Sequence, residues 1–247
     1  MYQELRKKLK QVVREQDLLD REIHIETAVL TPEEAIGHPE RQDFPLLKGK
    51  EVLMQATFMN CLGQAYTDAP SRFFGFIGEI ADLELTNPRQ TALFIAALNA
   101  VFRYVYPELR TIHCKDSGPE RCARKIAQYV QGLDPESVGI IGLQPAILQA
   151  ITECVGSDHV YCIDRDEDTR GQVKHGVAIE RGDNRGLELL FTKSDIVLAT
   201  GSSSANGSLP DILSMSRKTG VPVYFFGTTI AGVARLMGLN HLCYEST

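Results

Sequence analysis

Apolar residues recur at helical spacing at the start of the chain and then in strand-like runs. Leu5, Leu9 and Val13 belong to a pattern that predicts an amphipathic helix over residues 2–20. Turn-forming residues separate the runs that follow, and runs of this length and composition are typical of β-strands. The predicted strands of this part of the chain are Ile23 to Leu30, Glu51 to Met59 and Phe73 to Ile80.

Two helices are predicted after these strands. Asn87 is a suitable N-cap and Pro88 suits the first helical position, so a helix is expected to begin here. A second helix is expected to begin near Pro119 and to continue to Gly132. Strands followed by helices indicate an α+β unit.

The pattern changes near Pro135, where strands and helices begin to alternate. Short apolar runs suited to buried parallel strands are separated by stretches with helical spacing. The predicted strands are residues 138–143, 160–164, 195–200 and 221–227, and the intervening helices include Ala146 to Cys154, Leu209 to Arg217 and Ile230 to Met237. This alternation predicts a parallel, Rossmann-like sheet. The predicted fold class is therefore α/β, with an α+β domain over residues 1–132 and a Rossmann-like domain over residues 133–247.

Composition narrows the class of protein. The 247-residue chain has a formal net charge of −6, which argues against a dedicated nucleic-acid binder. No run approaches the roughly 18 apolar residues of a membrane span, and the N-terminus is charged, unlike a signal peptide. We therefore expect a cytoplasmic protein with no membrane partner and six reduced cysteines. The sequence leaves a homo-oligomer open.

The loop after the first predicted parallel strand contains Gly142 and Gln144. Pro145 favours a helix start, so free N–H groups and the helix dipole would favour an anion here. The loop lacks the dinucleotide fingerprint, because Gln144 occupies the place of its second glycine. Asp164 ends the next strand, 22 residues after Gly142, where an acid holds a ribose in nucleotide-binding folds. The alternative interpretation of Asp164 is a solvated turn acid.

Two further loops carry small and hydroxyl-bearing residues. Gly201, Ser202 and Asn206 follow the third parallel strand, and Thr228 and Thr229 follow the fourth. Turn formation and helix capping account for each loop taken singly. Because ligands bind at the carboxyl ends of parallel strands, the loops together predict a pocket for a small polar or anionic ligand. We expect the backbone N–H groups of residues 202–207, with Thr228 and Thr229, to face this pocket and to form an anion cradle.

A different chemistry is indicated at His113, Cys114 and Asp116. Imidazole and thiolate are preferred donors for zinc and related metals, so these residues are candidate ligands for a heavy or transition metal ion. Cys114 also precedes a predicted helix and neighbours Lys115, a setting that lowers a thiol pKa. The alternative is structural: Ser117 and Glu120 have capping-box spacing, and a cysteine at a strand end is often only buried.

Six motifs occur in a fixed order along the chain. They are Gly63 to Asp68, Ala96 to Val101, His113 to Asp116, Gly142 to Ala146, Thr200 to Ser202 with Asn206 and Gly207, and Gly227 to Gly232. The ordered set resembles a prokaryotic family of unknown function whose C-terminal domain is labelled for heavy-metal chelation. The resemblance runs from about residue 50 to the C-terminus. It implies an enolase-N-terminal-like domain followed by a Rossmann-like domain, with the site in the cleft between them.

Three classes of function follow from these observations. The leading hypothesis is a cytoplasmic protein that binds a metal ion or a metal-bearing, anionic small molecule in the interdomain cleft. The second is an enzyme, a transferase or lyase, with a nucleotide-type cofactor near Asp164 and acid–base or nucleophilic chemistry at Cys114, Lys115 or Asp116. The third is a structural or regulatory module that binds neither metal nor nucleotide.

Overall fold

The computed structural model describes residues 1–25, 30–49 and 52–247. It contains two sheets, and the first is four-stranded and antiparallel, with strand order β3-β2-β1-β4. Its strands are β1 (Glu22–Ile25), β2 (Val52–Phe58), β3 (Cys61–Thr67) and β4 (Phe73–Phe76). The predicted strand from Ile23 continues into residues 26–29, which lie outside the described residues.

Five helices lie in the same part of the chain as this sheet. They are α1 (Tyr2–Glu15), α2 (Pro32–Ile36), α3 (Ile77–Asp82), α4 (Pro88–Val105) and α5 (Gly118–Leu133). The buried face of α1 consists of Leu5, Leu9 and Val13, as the helical spacing predicts, but the helix ends before the expected residue 20. At the start of α4, the Asn87 side chain accepts a hydrogen bond from the Gln90 N–H, which confirms the predicted N-cap.

One predicted strand was wrong in its second half. The run from Phe73 to Ile80 forms β4 only as far as Phe76, and α3 then begins at Ile77. The Glu79 carboxylate accepts the Phe76 N–H at 2.7 Å, which satisfies a backbone group that a continuing strand would have paired within the sheet.

The second sheet has seven strands in the order β11-β10-β9-β5-β6-β8-β7. In chain order they are β5 (Val138–Ile141), β6 (Val160–Asp164), β7 (Val173–Lys174), β8 (Val177–Arg181), β9 (Ile196–Thr200), β10 (Val223–Phe226) and β11 (Asn240–Leu242). The four predicted strands correspond to β5, β6, β9 and β10, and their pairings are parallel as expected. Only the β7–β8 pair is antiparallel among the strand pairs described in this sheet. The predicted α/β fold class with a Rossmann-like parallel sheet is confirmed.

Helices cover this sheet. They are α6 (Pro145–Val155), α7 (Asn184–Lys193), α8 (Ser203–Asn206), α9 (Leu209–Thr219) and α10 (Ala231–Met237). Among the described residues, none of the helices combines the length with the apolar character that a membrane span requires.

Helix α4 joins the two sheets. It packs on β2 and β3 of the first sheet and also contacts α8 and α10, which belong to the second. One buried apolar cluster accordingly includes Met54 and Ala65 from the first sheet with Val197 and Phe225 from the second. The predicted domain boundary coincides with the end of α5, but the hydrophobic core continues through both halves. Two separate domains therefore stay a prediction.

Candidate functional site

The strand order of the seven-stranded sheet reverses at β5. This strand lies between β6 and β9. The chain leaves the carboxyl end of β5 towards β6 and that of β9 towards β10, in opposite directions across the sheet. Such a reversal opens a crevice at the carboxyl edge of a parallel sheet, where α/β proteins bind ligands.

A cleft of about 1140 Å³ lies at this edge. The cleft residues named in the sequence analysis are Gly142, Gln144, Asp164, Gly201, Ser202, Asn206, Thr228 and Thr229, together with His113 and Cys114. Tyr66, Thr67 and Asp68, at the end of β3, line the cleft as well. The structure therefore brings the predicted loops together with the His113 segment; Asp116 is not among the residues that line the cleft.

The first loop is held by the Asp164 side chain. One carboxylate oxygen accepts the Leu143 N–H at 2.5 Å and the other accepts the Asp166 N–H at 2.7 Å. Gln144 caps α6 by accepting the Ile147 N–H at 2.6 Å. Asp164 thus fixes two loops at the edge of the sheet, and its contact with a ribose stays a prediction.

The third loop differs from the expectation that its N–H groups face a ligand. The N–H of Ser204 bonds to the carbonyl of Gly201, and those of Ala205 and Asn206 bond to the carbonyl of Ser202. The cause is α8, a single helical turn whose amides bond back to the preceding residues. The predicted anion cradle over residues 202–207 was wrong for these three amides.

The fourth loop is enclosed. Thr228 and Thr229 are buried, and the Thr229 hydroxyl accepts the Tyr66 N–H at 3.0 Å, which ties the loop to β3. The Thr228 side chain is 0% exposed and lines the cleft, and its hydroxyl has no hydrogen-bond partner within the described residues. A buried hydroxyl without a partner costs about 1–3 kcal/mol, so Thr228 marks a place where a ligand atom would be stabilising.

Asn99 positions the fourth loop, a role that was not predicted from the sequence. Its Nδ2 donates to the carbonyls of Gln64, Thr228 and Thr229 at 2.8, 3.3 and 3.0 Å. Its Oδ1 accepts the Gly232 N–H at 2.8 Å. The available signal was one amide side chain within the apolar run of α4, since a buried polar group needs partners.

His113 is fixed on two sides. Its N–H donates to the Gln64 side chain at 2.7 Å, and its ring Nδ1 lies 3.2 Å from the carbonyl oxygen of Ala35. A carbonyl can only accept, so Nδ1 carries the proton and Nε2 is unprotonated in the neutral ring. Burial lowers the pKa of His113 to about 4, and the imidazole is neutral at pH 7.

The His113 pKa leads to an expected pH dependence. In the unfolded chain His113 takes up a proton near pH 6.5, whereas in the folded protein it does so only near pH 4. The free energy of unfolding is therefore at its full value above pH 6.5 and falls as the pH drops towards 4. Between roughly pH 7.5 and pH 5, the free energy of unfolding should fall by about 1–2 kcal/mol less in His113→Gln than in the wild type, measured by urea unfolding. His175→Gln, with an exposed side chain, is the control. Equal pH dependence in wild type and His113→Gln would contradict this account.

Cys114 differs from the sequence-based interpretation. Burial raises the pKa of its thiol to about 12, so the expected low-pKa thiolate was wrong. The predicted capping box was also wrong, since Ser117 makes no side-chain cap on α5. The close packing of Gly118 against Cys114 favours burial over the electrostatic help of a helix N-terminus.

Asp116 forms hydrogen bonds with the backbone at the end of α2. Its N–H donates to the carbonyl of Ile36 at 2.8 Å, and its carboxylate accepts the His38 N–H at 2.9 Å. The predicted metal ligands His113, Cys114 and Asp116 therefore do not converge. Over the described ranges, no three or more His, Cys, Asp or Glu side chains are arranged to hold a metal ion. These residues do not fit a bare metal ion held by the protein alone.

Charged side chains surround the cleft, and acids outnumber bases. The acidic residues are Asp43, Asp68, Asp164, Asp166, Glu167, Asp183 and Asp211, and the basic ones are Lys48, Arg165, Arg181 and Arg185. Arg181 lies within ion-pair distance of Glu167 and Asp183, at 3.7 and 3.5 Å. A ligand of high negative charge would meet repulsion in these surroundings.

Comparison with known proteins reveals a similarity of fold. A protein of unknown function from the DUF364 family of Pyrococcus horikoshii superimposes with a TM-score of 0.56 and 17% sequence identity, over 92% of this chain and 79% of that one. A second DUF364 protein of unknown function, from Desulfitobacterium hafniense, gives a TM-score of 0.49 and 14% identity, over 77% and 74% of the two chains. No family model and no curated protein matches the sequence. The similarity to the first protein supports the α/β fold; heavy-metal chelation and the enolase-like description stay predictions.

Proposed function

We propose that this protein binds a small polar ligand in the cleft at the carboxyl edge of its seven-stranded sheet. In this proposal the ligand carries an anionic group together with compensating positive charge. The observation that carries the proposal is the Thr228 hydroxyl, which is buried, belongs to a residue at the cleft wall and has no partner among the described residues. A polar ligand atom would satisfy this group.

The start of α6 supports the anionic group of the ligand. Gln144 lines the cleft, and its backbone N–H makes no hydrogen bond with any described residue. The α6 dipole places partial positive charge at the same position. A carboxylate or phosphate oxygen would therefore be stabilised here.

The excess of acids supports the compensating positive charge. Seven acidic and four basic side chains line the cleft, so a zwitterion or a metal-bearing anion is favoured over a polyanion. In the metal-bearing case the ligand would bring most of the metal donors, and the His113 Nε2 lone pair would be available to it.

The first experiment is a ligand screen by thermal shift. The probes are inorganic phosphate, ADP, zwitterionic amino acids, zinc and nickel ions alone, and the citrate complexes of both metals. The proposal expects stabilisation by a zwitterion or a metal–citrate complex over the matching free ion. Stabilisation by ADP alone would favour the nucleotide-dependent enzyme. Stabilisation by the free metals alone would favour simple chelation.

Thr228→Val tests the assigned position. Valine has nearly the shape of threonine without the hydroxyl, so the ligand-free variant should be as stable as wild type or slightly more stable. Its affinity for the selected probe, measured by calorimetry, should fall at least about tenfold, equivalent to 1.4 kcal/mol.

Ser203→Ala is the matched control. Its hydroxyl is also buried and without a partner among the described residues, but Ser203 does not line the cleft. The control should reproduce the stability effect of Thr228→Val and keep wild-type affinity. Wild-type affinity in Thr228→Val, or equal losses in the two variants, would overturn the assignment.

A further inference from the structure

Two cysteines come together on one wall of the cleft. Cys122 lies on α5 and Cys243 follows β11, and both line the cleft as free thiols. The Tyr244 N–H donates a hydrogen bond to the sulfur of Cys122 at 3.4 Å. Cys243 directly precedes Tyr244, so this bond brings Cys243 close to Cys122 from a distant part of the chain.

Ion pairs hold the two segments together. The Glu245 carboxylate accepts hydrogen bonds from Arg121 at 2.7 Å and from Lys125 at 2.5 Å, both on α5. The last residue, Thr247, pairs through its backbone with Thr111 and Ile112. Because β11 pairs with β10 up to Leu242, the segment that carries Cys243 is anchored both before and after this residue.

We propose that Cys122 and Cys243 form an oxidisable pair in which Cys122 reacts with a peroxide and Cys243 closes a disulfide. No part of this proposal depends on the identity of the ligand in the cleft.

The hydrogen bonds make Cys122 the attacking thiol. The interaction with the Cys243 side chain, followed by the backbone N–H groups of Tyr244 and Glu245, lowers the pKa of Cys122 despite its burial. The same interaction, together with burial, raises the pKa of Cys243. Cys122 is thus the more acidic thiol of the pair, and a lowered thiol pKa is typical of reactive cysteines.

The chemistry balances with hydrogen peroxide as the oxidant. The Cys122 thiolate attacks one peroxide oxygen, the O–O bond breaks, and the leaving hydroxide takes up a proton, which gives a sulfenic acid and one water. The Cys243 sulfur then attacks the Cys122 sulfur and loses its proton, the S–O bond breaks, and a second water leaves. The two thiols together lose two electrons and two protons, and the peroxide is reduced to water.

Disulfide formation would join α5 directly to the segment after β11. Since both cysteines line the cleft, the bond would fix this wall and change the space open to a ligand. Cys162 offers a contrast, because its side chain is sealed within the sheet on β6.

The test treats the full-length reduced protein with hydrogen peroxide and maps disulfides by mass spectrometry after digestion. The expected product contains the Cys122 and Cys243 peptides joined, with a mass lower by two hydrogens. In Cys243→Ser, oxidation should stop at a Cys122 sulfenic acid that dimedone traps. Cys154→Ser is the control, since Cys154 does not line this cleft.

Alkylation by iodoacetamide gives a second readout. In the wild type at pH 7, Cys122 should react at least about tenfold faster than Cys154, whose pKa burial raises. Its rate should reach half of the maximum at a lower pH than that of Cys154, and Cys243→Ser should move this midpoint upwards. A disulfide from Cys122 to Cys114, no joined peptide in the wild type, or equal reactivity of Cys122 and Cys154 would overturn the proposal.

Discussion

Asn99→Ala is expected to lower the free energy of unfolding by about 3–5 kcal/mol, since several buried polar groups lose their partners at once. The side chain is 0% exposed and makes four hydrogen bonds to backbone groups. Alanine would leave the carbonyls of Thr228 and Thr229 and the Gly232 N–H without this partner. The loss should also release the fourth loop, so ligand affinity should fall together with stability.

Thr91→Ala is the matched control for Asn99→Ala. Thr91 is a buried polar residue on the same helix, and its hydroxyl bonds only to the carbonyl of Asn87, one turn earlier. Its loss should cost about 1 kcal/mol or less. Urea unfolding measures both variants, and similar losses for the two would show that the Asn99 network contributes little.

The second large effect is expected at Gly63. A Cβ placed there would lie 2.7 Å from the carbonyl carbon of Asn99, and closer still to the backbone N of Ala100 and the backbone O of Ala96. These atoms belong to the backbone of α4, so no side-chain rotation relieves the clash. Gly63→Ala should force β3 and α4 apart and cost about 3 kcal/mol or more, measured by urea unfolding.

Gly132→Ala should change the free energy of unfolding in the opposite direction. Gly132 lies near the end of α5, and a Cβ there would have no atom within 4 Å. Alanine should stabilise the helix by about 0.5–1 kcal/mol. If Gly63→Ala were as well tolerated as Gly132→Ala, the close approach of β3 to α4 would not constrain the fold.

The parallel sheet could be predicted from the sequence because its central strands are buried on both faces. The apolar runs of β5 and β9 contain almost no polar residue, and runs of this kind between helical stretches permit few other arrangements. The position of the cleft followed from the carboxyl-end rule alone, which required only the order of strands and loops. Thr228 and Thr229 were therefore placed at the cleft without knowledge of any contact.

The elements that were not predicted from the sequence lack such a pattern of apolar residues. In β3, Gly63 and Ala65 are small because α4 lies against them, so the strand shows no apolar run or clean alternation. The β7–β8 hairpin, α7 and β11 are short or polar, and they depend on neighbouring strands rather than on local preference.

Side-chain chemistry was harder to predict than strand order. The raised pKa of Cys114 follows from burial. Asp116 is held away from the cleft lining by hydrogen bonds to residues 36–38, which are distant in the sequence. The Cys122 and Cys243 pair joins residues 121 positions apart. Such contacts cannot be predicted from the local sequence. By contrast, an amide within an apolar helix, such as Asn99, indicates that hydrogen-bond partners must be present.

The position of α4 between the two sheets has a consequence for biosynthesis. The first sheet can form once residue 105 has left the ribosome, but α8, which covers another part of α4, begins only at Ser203. At roughly 5–20 residues per second, translation of the intervening segment takes about 5–20 s. Throughout that interval the nascent chain presents to water the side of α4 that α8 and α10 later contact, together with the Asn99 Oδ1, whose partner Gly232 has not yet been made. This is the stage at which the polypeptide most needs protection by a chaperone against aggregation.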